Sequence, residues 1–417
     1  MHRRQVLGVL SGAVLAAPLA GSTLFAGPAA ASPEKQADPR GTQLRTLLEA
    51  EHDAGMPGAI AQVRDGEKTF RLAVGAADIA SGRPPHPFFR HRIGGITKTF
   101  VSTTLLQLAG ERRVQLDAPI GQYLPDIVPG ERGQQITVRM LLNQTTGISD
   151  HVNVLFATPE SIAETATHTY RPEELVRMAL ALPPLFAPGA MWSYSNSNYV
   201  VLGLLIEKIT GRPWAAEVHR RIIGPLGLHD TYAPGTRTGI QGPHMSAYIP
   251  WTDGTLRNFT TYNMTWAGAA GELISSTRDV NRFFRALLGG HLLRPSLLQE
   301  MKTTVPFSAD FPDFAGYGLG LFWLLTPSGK TWGHNGQVIG MTTYSAHTED
   351  GSTTQLTLAE NMNFYKNPAD QTPNAIDNAR NAFMAAVESG PTSAQQRLAG
   401  TAPARLFPPT FRAMGRH

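Results

Sequence analysis

The stretch Arg92-Ile93-Gly94-Gly95-Ile96-Thr97-Lys98-Thr99-Phe100 decides how this chain is read. From Thr97 to Gly110 the residues follow helical spacing, and Phe100, Val101, Leu105, Leu106 and Leu108 cover much of the helix circumference. Apolar coverage that wide predicts a central helix packed on several sides, since a surface helix would carry one apolar stripe. Lys98 falls in the first turn of that helix. Gly95 precedes it by three residues, so the two positions share one helical face.

The flanking sequence alternates in kind. Gly41 to Ala54 has helical spacing through Leu44, Leu47 and Leu48 and is broken by Pro57-Gly58. Ala59 to Arg64 and Thr69 to Val74 alternate apolar and polar residues around Asp65-Gly66, which predicts a β-hairpin. Past the central helix, Ile136 to Leu142 reads as a short helix ended by Thr145-Thr146-Gly147. From about 150 to 265 the pattern is mostly helical, without a convincing series of strands. Its clearest helices are Pro172 to Ala181 and Tyr199 to Thr210, the second stopped by Gly211. Thr277 to Leu288 is a further helix, opened by Ser275-Ser276 and closed by Gly289-Gly290. Strands are then expected at Tyr317 to Leu325, Met341 to His347 and Thr353 to Ala359, with a turn at Pro327-Ser328-Gly329-Lys330 and a final helix from Ala375 to Val387. The order predicts an α+β protein. Residues 43–115 and 266–389 would form an α/β domain, with a mostly helical domain at 116–265 inserted into it. A cleft between two such lobes is a usual place for a small-molecule site.

Composition narrows the function classes. The chain of 417 residues carries a formal charge of only +4, and no Lys/Arg run is long enough to argue for nucleic acid. The absence of cysteine excludes disulfides, thiolate metal sites and a cysteine nucleophile. His86, His91 and His151 show no metal-ligand spacing, and there is no phosphate-binding loop, so neither metal nor cofactor is expected. At the N-terminus, Arg3-Arg4 precedes an apolar run from Val6 to Phe25 that Gly, Ala and Ser interrupt. With Ala29-Ala30-Ala31 before Ser32, residues 1–31 read as a twin-arginine-like signal peptide. Export to the extracellular side is the expectation, with membrane contact only during export. Residues 32–42 read as a linker, and 390–417, rich in Pro, Ala and Arg, as a poorly ordered tail.

Three short pieces fall where the cleft is expected. They are Gly95-Ile96-Thr97-Lys98, Tyr194-Ser195-Asn196, and His334-Asn335-Gly336. Taken singly, each has an ordinary reading: a solvated lysine, a loop-anchoring tyrosine, a satisfied strand histidine. Together they match the needs of acyl transfer. A weak hydroxyl nucleophile needs a base, and a lysine serves only if burial or neighbouring charge lowers its pKa. A tyrosine beside that amine can relay the proton to the leaving group. Backbone N–H groups at a helix start and on an edge strand can hold the oxyanion. An asparagine two residues after the tyrosine can hold a substrate amide, and a His-x-Gly strand supplies a second polar wall.

In these motifs the chain resembles the penicillin-recognising serine hydrolases, which include D-Ala-D-Ala carboxypeptidases, class C β-lactamases, related esterases and D-aminopeptidases. It looks most similar to secreted actinomycete D-Ala-D-Ala carboxypeptidases. The resemblance covers roughly residues 40–390. It includes Thr137-Val138-Arg139-Met140-Leu141-Leu142, Pro188-Gly189-Ala190 and Leu202-Gly203-Leu204-Leu205-Ile206-Glu207-Lys208. It implies a β-lactamase/transpeptidase-like antiparallel sheet flanked by helices. By position it makes Lys98 the catalytic lysine, Tyr194 and Asn196 the Tyr-x-Asn pair, and His334 and Gly336 the third motif.

Two departures qualify what the resemblance implies. The family's serine falls on Gly95, which has no side chain to acylate, and loss of a nucleophile removes most of the catalytic gain. Thr97, Thr99 and Ser102 are near, but helical geometry points them elsewhere. Asn335 and Gln337 stand where the carboxypeptidases often have hydroxyl residues for the substrate's terminal carboxylate. Three expectations follow. The chain is an exported family member with impaired covalent chemistry on D-amino-acid peptides, β-lactams or related amides and esters. Or it binds a cell-wall peptide or β-lactam-like ligand without turnover. Or Lys98 and Tyr194 perform acid/base chemistry without a covalent intermediate.

Overall fold

The computed structural model describes residues 38–308, 312–326, 329–365 and 372–389. The expected signal segment 1–31, the tail from 390 and the turn residues Pro327 and Ser328 lie outside the described residues. At the centre is an antiparallel sheet. Its strands run Lys68–Gly75, Gly58–Asp65, Thr354–Glu360, Met341–Thr348, Gly329–Gly333, Phe322–Thr326, Ala315–Tyr317 and Val305–Pro306 in spatial order, and Asn335–Val338 also pairs with Met341–Thr348. The first and last parts of the chain therefore meet in mid-sheet, where Ala61 stands opposite Leu358 and Val63 opposite Leu356.

Strand alternation divides the sheet into two apolar faces. Ala59, Ala61, Val63, Leu356 and Leu358 face the terminal helices Pro39–Asp53 and Ala375–Glu388, where they pack with Leu44, Leu48, Phe383 and Val387. The first of these helices begins at Pro39, inside the stretch expected to be linker; proline's fixed φ suits a first helical position. Asn374 starts the last helix through a capping box with Asp377.

The opposite face carries the larger core, with the helix Thr97–Gly110 in its midst. Its bounds are those read from the sequence, and Phe100, Val101, Leu105, Leu106 and Leu108 are all buried. Phe100 stacks on Phe283 of the helix Thr277–Leu288 at 3.7 Å between ring centroids. Removing a ring so enclosed would cost about 3–5 kcal/mol through lost transfer energy and the cavity left behind. Ser276 caps the helix Thr277–Leu288 by accepting from the Asp279 N–H. The helices Pro172–Ala181 and Asn196–Thr210 join the same core. Among the described residues, no helix is long and apolar enough to cross a membrane.

Two stretches differ from expectation. Tyr317 to Leu325 is not one strand. A turn at Gly318–Leu321, closed by the Gly318 N–H on the Leu321 carbonyl, separates two strands that pair with each other. Gly320 supplies the left-handed φ of +84° that this reversal uses. The helical stretch also contains a small hairpin, Tyr248–Pro250 with Leu256–Asn258. Its second strand is exposed and carries little apolar pattern to read.

Candidate active site

The site is assembled where the central helix begins. Arg92 is buried and anchors the approach: its guanidinium donates to the Thr238 and Thr260 carbonyls and lies over the Tyr262 ring at 4.2 Å. Ile93 then donates to the Leu273 carbonyl, and Gly94–Ile96 form one turn of 3-10 helix that leads into Thr97. This turn packs against the strand Asn335–Val338 with almost no space between backbones. A Cβ on Gly94 would lie 2.8 Å from the Gln337 nitrogen, and one on Gly336 would collide with the Ile93 carbonyl. Glycine is required at both places by close approach.

Gly95 lies at the point where the three motifs converge. A Cβ built there would stand 2.8 Å from the Asn335 carbonyl oxygen, 2.9 Å from Tyr194 Oη and 3.0 Å from His334 Cε1. These neighbours leave no room for a side chain without movement. Beside them is a space of about 10 Å³ bordered by Gly95, Tyr194, Asn196, Trp266, Gly271 and Gln337. Such a space accommodates one water molecule.

Lys98 is fully buried. Its Nζ donates to Asn196 Oδ1 and to the Ala270 carbonyl, both at 2.8 Å, and lies 4.6 Å from the centre of the Tyr194 ring. Burial pushes the amine down to about 7, while the charge of Asp150 acts to raise it. Near neutral pH the lysine can therefore exist in either protonation state, as a general base must. Tyr194 is driven the other way. Burial, followed by the charge of Asp150, holds its phenol well above the usual range, so it stays neutral and able to donate.

His334 forms a wall. Its Nδ1 meets the Asn335 carbonyl at 2.5 Å and its Nε2 meets Tyr317 Oη at 3.0 Å. A carbonyl only accepts, so Nδ1 carries the proton and Nε2 accepts from the tyrosine. Burial, with the Lys98 charge behind it, pushes this imidazole down to about 3. Neutral and with both nitrogens engaged, His334 presents a C–H edge to Gly95 and no free base.

Of the residues singled out in the sequence, the structure gathers Gly95, Lys98, Tyr194, Asn196, His334, Gly336 and Gln337 in one place. Asn335 takes part through its backbone. It stands opposite Tyr344, so the two side chains share a face of the sheet, and Tyr344 packs with the terminal helices. The Asn335 side chain accordingly borders a separate pocket with Tyr344 and Met384. The nearby hydroxyls are committed to structure, as their helical positions predict. Thr97 Oγ1 accepts from the Leu273 N–H, Thr99 donates to the Gly320 carbonyl, and Ser102 bonds Tyr199 Oη.

Sequence reading missed the support for Asn196. The segment Gln144–His151 is buried beneath the start of the helix Asn196–Thr210 and bolts it down. Gln144 Oε1 accepts from the Ser195 N–H at 3.1 Å, Thr146 donates to Asn198 Oδ1 at 2.7 Å, and Asp150 Oδ2 accepts from Asn196 Nδ2 at 2.8 Å. The one sequence signal was the density of polar residues after a helix end, and it reads equally well as a surface loop. No group of three or more metal-binding side chains occurs among the described residues.

The sequence pattern of the Beta-lactamase family matches residues 44–374. A D-aminopeptidase of Brucella canis is 28% identical over 76% of this chain and 58% of its own length. The chain thus spans less than two thirds of that relative. Among solved structures, a D-stereospecific amidohydrolase from Streptomyces sp. is 40% identical, with a TM-score of 0.71 over 77% of this chain and 94% of that one. The D-amino acid amidase from Ochrobactrum anthropi complexed with L-phenylalanine amide is 25% identical, with a TM-score of 0.71 over 84% and 99%. With the family pattern spanning most of the chain and the sheet, central helix and gathered motifs in agreement, the chain belongs to the Beta-lactamase family of serine hydrolases.

Proposed function

We propose that this chain is an exported family member whose cleft receives D-amino-acid amides or short D-peptides, and that Gly95 occupies the nucleophile position, so covalent acyl transfer is lost while the rest of the site is kept. The observation that carries this reading is the convergence on Gly95 of Tyr194 Oη, the His334 edge and the Asn335 carbonyl, one helical turn before a buried lysine. A hydroxyl at position 95 would share a helical face with Lys98, which near neutral pH is able to take its proton. The substrate class is taken from the relatives: an amidohydrolase, an amidase and an aminopeptidase, each named for D-configured substrates. Export rests on the Arg3-Arg4 segment and is tested by whether the full chain reaches the medium and stays inside when both arginines become lysine.

A second reading has Lys98 and Tyr194 drive a water molecule directly onto the substrate. The water-sized space beside Gly95 favours it, but Lys98 does not border that space, because Asn196 and Ala270 engage its amine.

The test is intact-protein mass spectrometry after incubation with a penicillin and with D-phenylalanine amide, on the chain as it stands and on Gly95→Ser. An adduct on the serine variant alone is expected. An adduct on the unaltered chain would overturn the reading of Gly95. Amide hydrolysis by the unaltered chain that Lys98→Ala abolishes would support the water-driven reading. No adduct on either protein would remove penicillins from the ligand class and leave D-amino-acid amides to be tested by hydrolysis and binding.

A further inference from the structure

The polar chain behind Lys98 does not end at Asn196. The Asn196 amide stands between two charged groups, with Oδ1 accepting from Lys98 Nζ at 2.8 Å and Nδ2 donating to Asp150 Oδ2 at 2.8 Å. The other Asp150 oxygen accepts from the Val152 N–H at 3.1 Å, which fixes the carboxylate to the turn it sits on. Asp150 and Asn196 are each 7% exposed and Lys98 is fully buried, so little solvent screens the three.

An amide can face either way, and its orientation is set by its neighbours. Here both neighbours insist on the same answer. An ionised carboxylate only accepts, and an ammonium only donates. Turning the Asn196 amide round would set its Nδ2 against the Lys98 amine and its Oδ1 against the Asp150 oxygen, losing two bonds and creating two repulsions. Unsatisfied polar groups at this depth are costly. We infer that Asp150 is a positioning residue for Lys98: its carboxylate pins the Asn196 amide with the carbonyl toward the lysine and sets a negative charge one amide length from the buried amine.

The groups around the amine support this assignment. The Tyr194 and Tyr199 rings lie 4.6 and 5.5 Å from Nζ and are neutral phenols. His151 and His334 are buried, and a positive charge on either would oppose that of Lys98. Among the described residues, Asp150 is the one carboxylate whose charge acts on this lysine. A carboxylate in direct contact would hold the lysine permanently charged. Removed by the length of one amide, it leaves the lysine able to give up its proton near neutral pH.

The role rests on the reading of Lys98 as the base of this site, but it can be tested without turnover. The experiment is NMR titration of the lysine side chains in the full chain, with the Lys98 signal assigned by its loss in Lys98→Met. It is run on the unaltered protein, Asp150→Asn and Asp150→Ala, with circular dichroism to show that each variant folds. Asparagine can still accept from Asn196 but carries no charge, so it separates the pin from the electrostatics. Both variants are expected to shift the Lys98 midpoint down by about one pH unit, as loss of a nearby opposite charge does. Only Asp150→Ala should also free the Asn196 side-chain amide, seen as faster exchange of its protons with water. An unchanged Lys98 midpoint in Asp150→Asn would overturn the electrostatic role. Fast exchange of the Asn196 amide protons in the unaltered protein would overturn the pin, and that measurement needs no variant.

In the Gly95→Ser background, adding Asp150→Asn should move the rise of acylation with pH to lower pH by the same amount. If Gly95→Ser is inert, the acyl-transfer reading fails while the Lys98 titration still decides the role of Asp150. If Gly95→Ser acylates and the titration does not move, only Asp150 is wrongly assigned.

Discussion

Two buried clusters of charge lie on opposite faces of the sheet, and they handle burial differently. On the terminal-helix face, Arg380 lies 3.4 Å from Glu360 and bonds Asp377 directly. Glu51 is buried beside them, its carboxyl pushed well above the usual range by burial and by the charge of Glu360. On the face that carries the central helix, Lys98 touches no carboxylate, because the Asn196 amide stands between it and Asp150. An arginine against its counter-charges cannot change state, so Arg380 stays charged and ties the Ala375–Glu388 helix to the sheet through Glu360. A lysine held one amide away keeps two protonation states within reach. Depth alone therefore does not decide whether a buried group can titrate; here the distance to the counter-charge separates Arg380 from Lys98.

The largest effect expected from this contrast is on the structural cluster. Arg380→Met leaves Glu360 and Asp377 buried without their cation and should cost about 3–5 kcal/mol in a denaturant titration at pH 7. A loss below about 1 kcal/mol would break the comparison by showing that the cluster carries no load.

Lys98→Met should act in the opposite sense. In the unfolded chain the amine is charged up to its ordinary value of 10.5, and in the fold only up to about 7. Folding below that point must bury a charge, and between the two values it must release a proton. The wild-type protein therefore gains stability as pH rises from 7 to 10.5. The methionine variant should be more stable than wild type below pH 7, by at most about 5 kcal/mol, and the gap should close as pH approaches 10.5. A gap that does not vary with pH would mean that water reaches the lysine.

The smallest effect is steric. Gly95→Ala puts a methyl group within 3.0 Å of three neighbours and should cost about 1–2 kcal/mol by overpacking, read as a lowered denaturation midpoint. No cost would mean that the cleft is looser than the terminal-helix face.

What the sequence disclosed follows the same physical lines. The helices Thr97–Gly110, Pro172–Ala181 and Thr277–Leu288 were readable to the residue because apolar spacing and end signals agreed. The reversal at Gly318–Leu321 was hidden because both of its strands are apolar and glycine does not announce which φ it will adopt. Lys98, Tyr194, Asn196 and His334 were visible as motifs. Their wiring was not: Ala270 contributes only a backbone oxygen, and Asp150 matters through an amide 46 positions away. The different fates of Asn335 and His334, adjacent in sequence, were set by strand register, which a motif does not carry.

The crowding at Gly95 gives the proposed substitution a direction in time. Shedding a side chain there asks nothing of the surroundings. Regaining one asks the Tyr194 hydroxyl and the Asn335 carbonyl to retreat together, and the second is backbone. A lineage that crossed from serine to glycine would find the way back narrower than the way out. Selection on what remains would then favour uses of the cleft that never pass through a covalent bond.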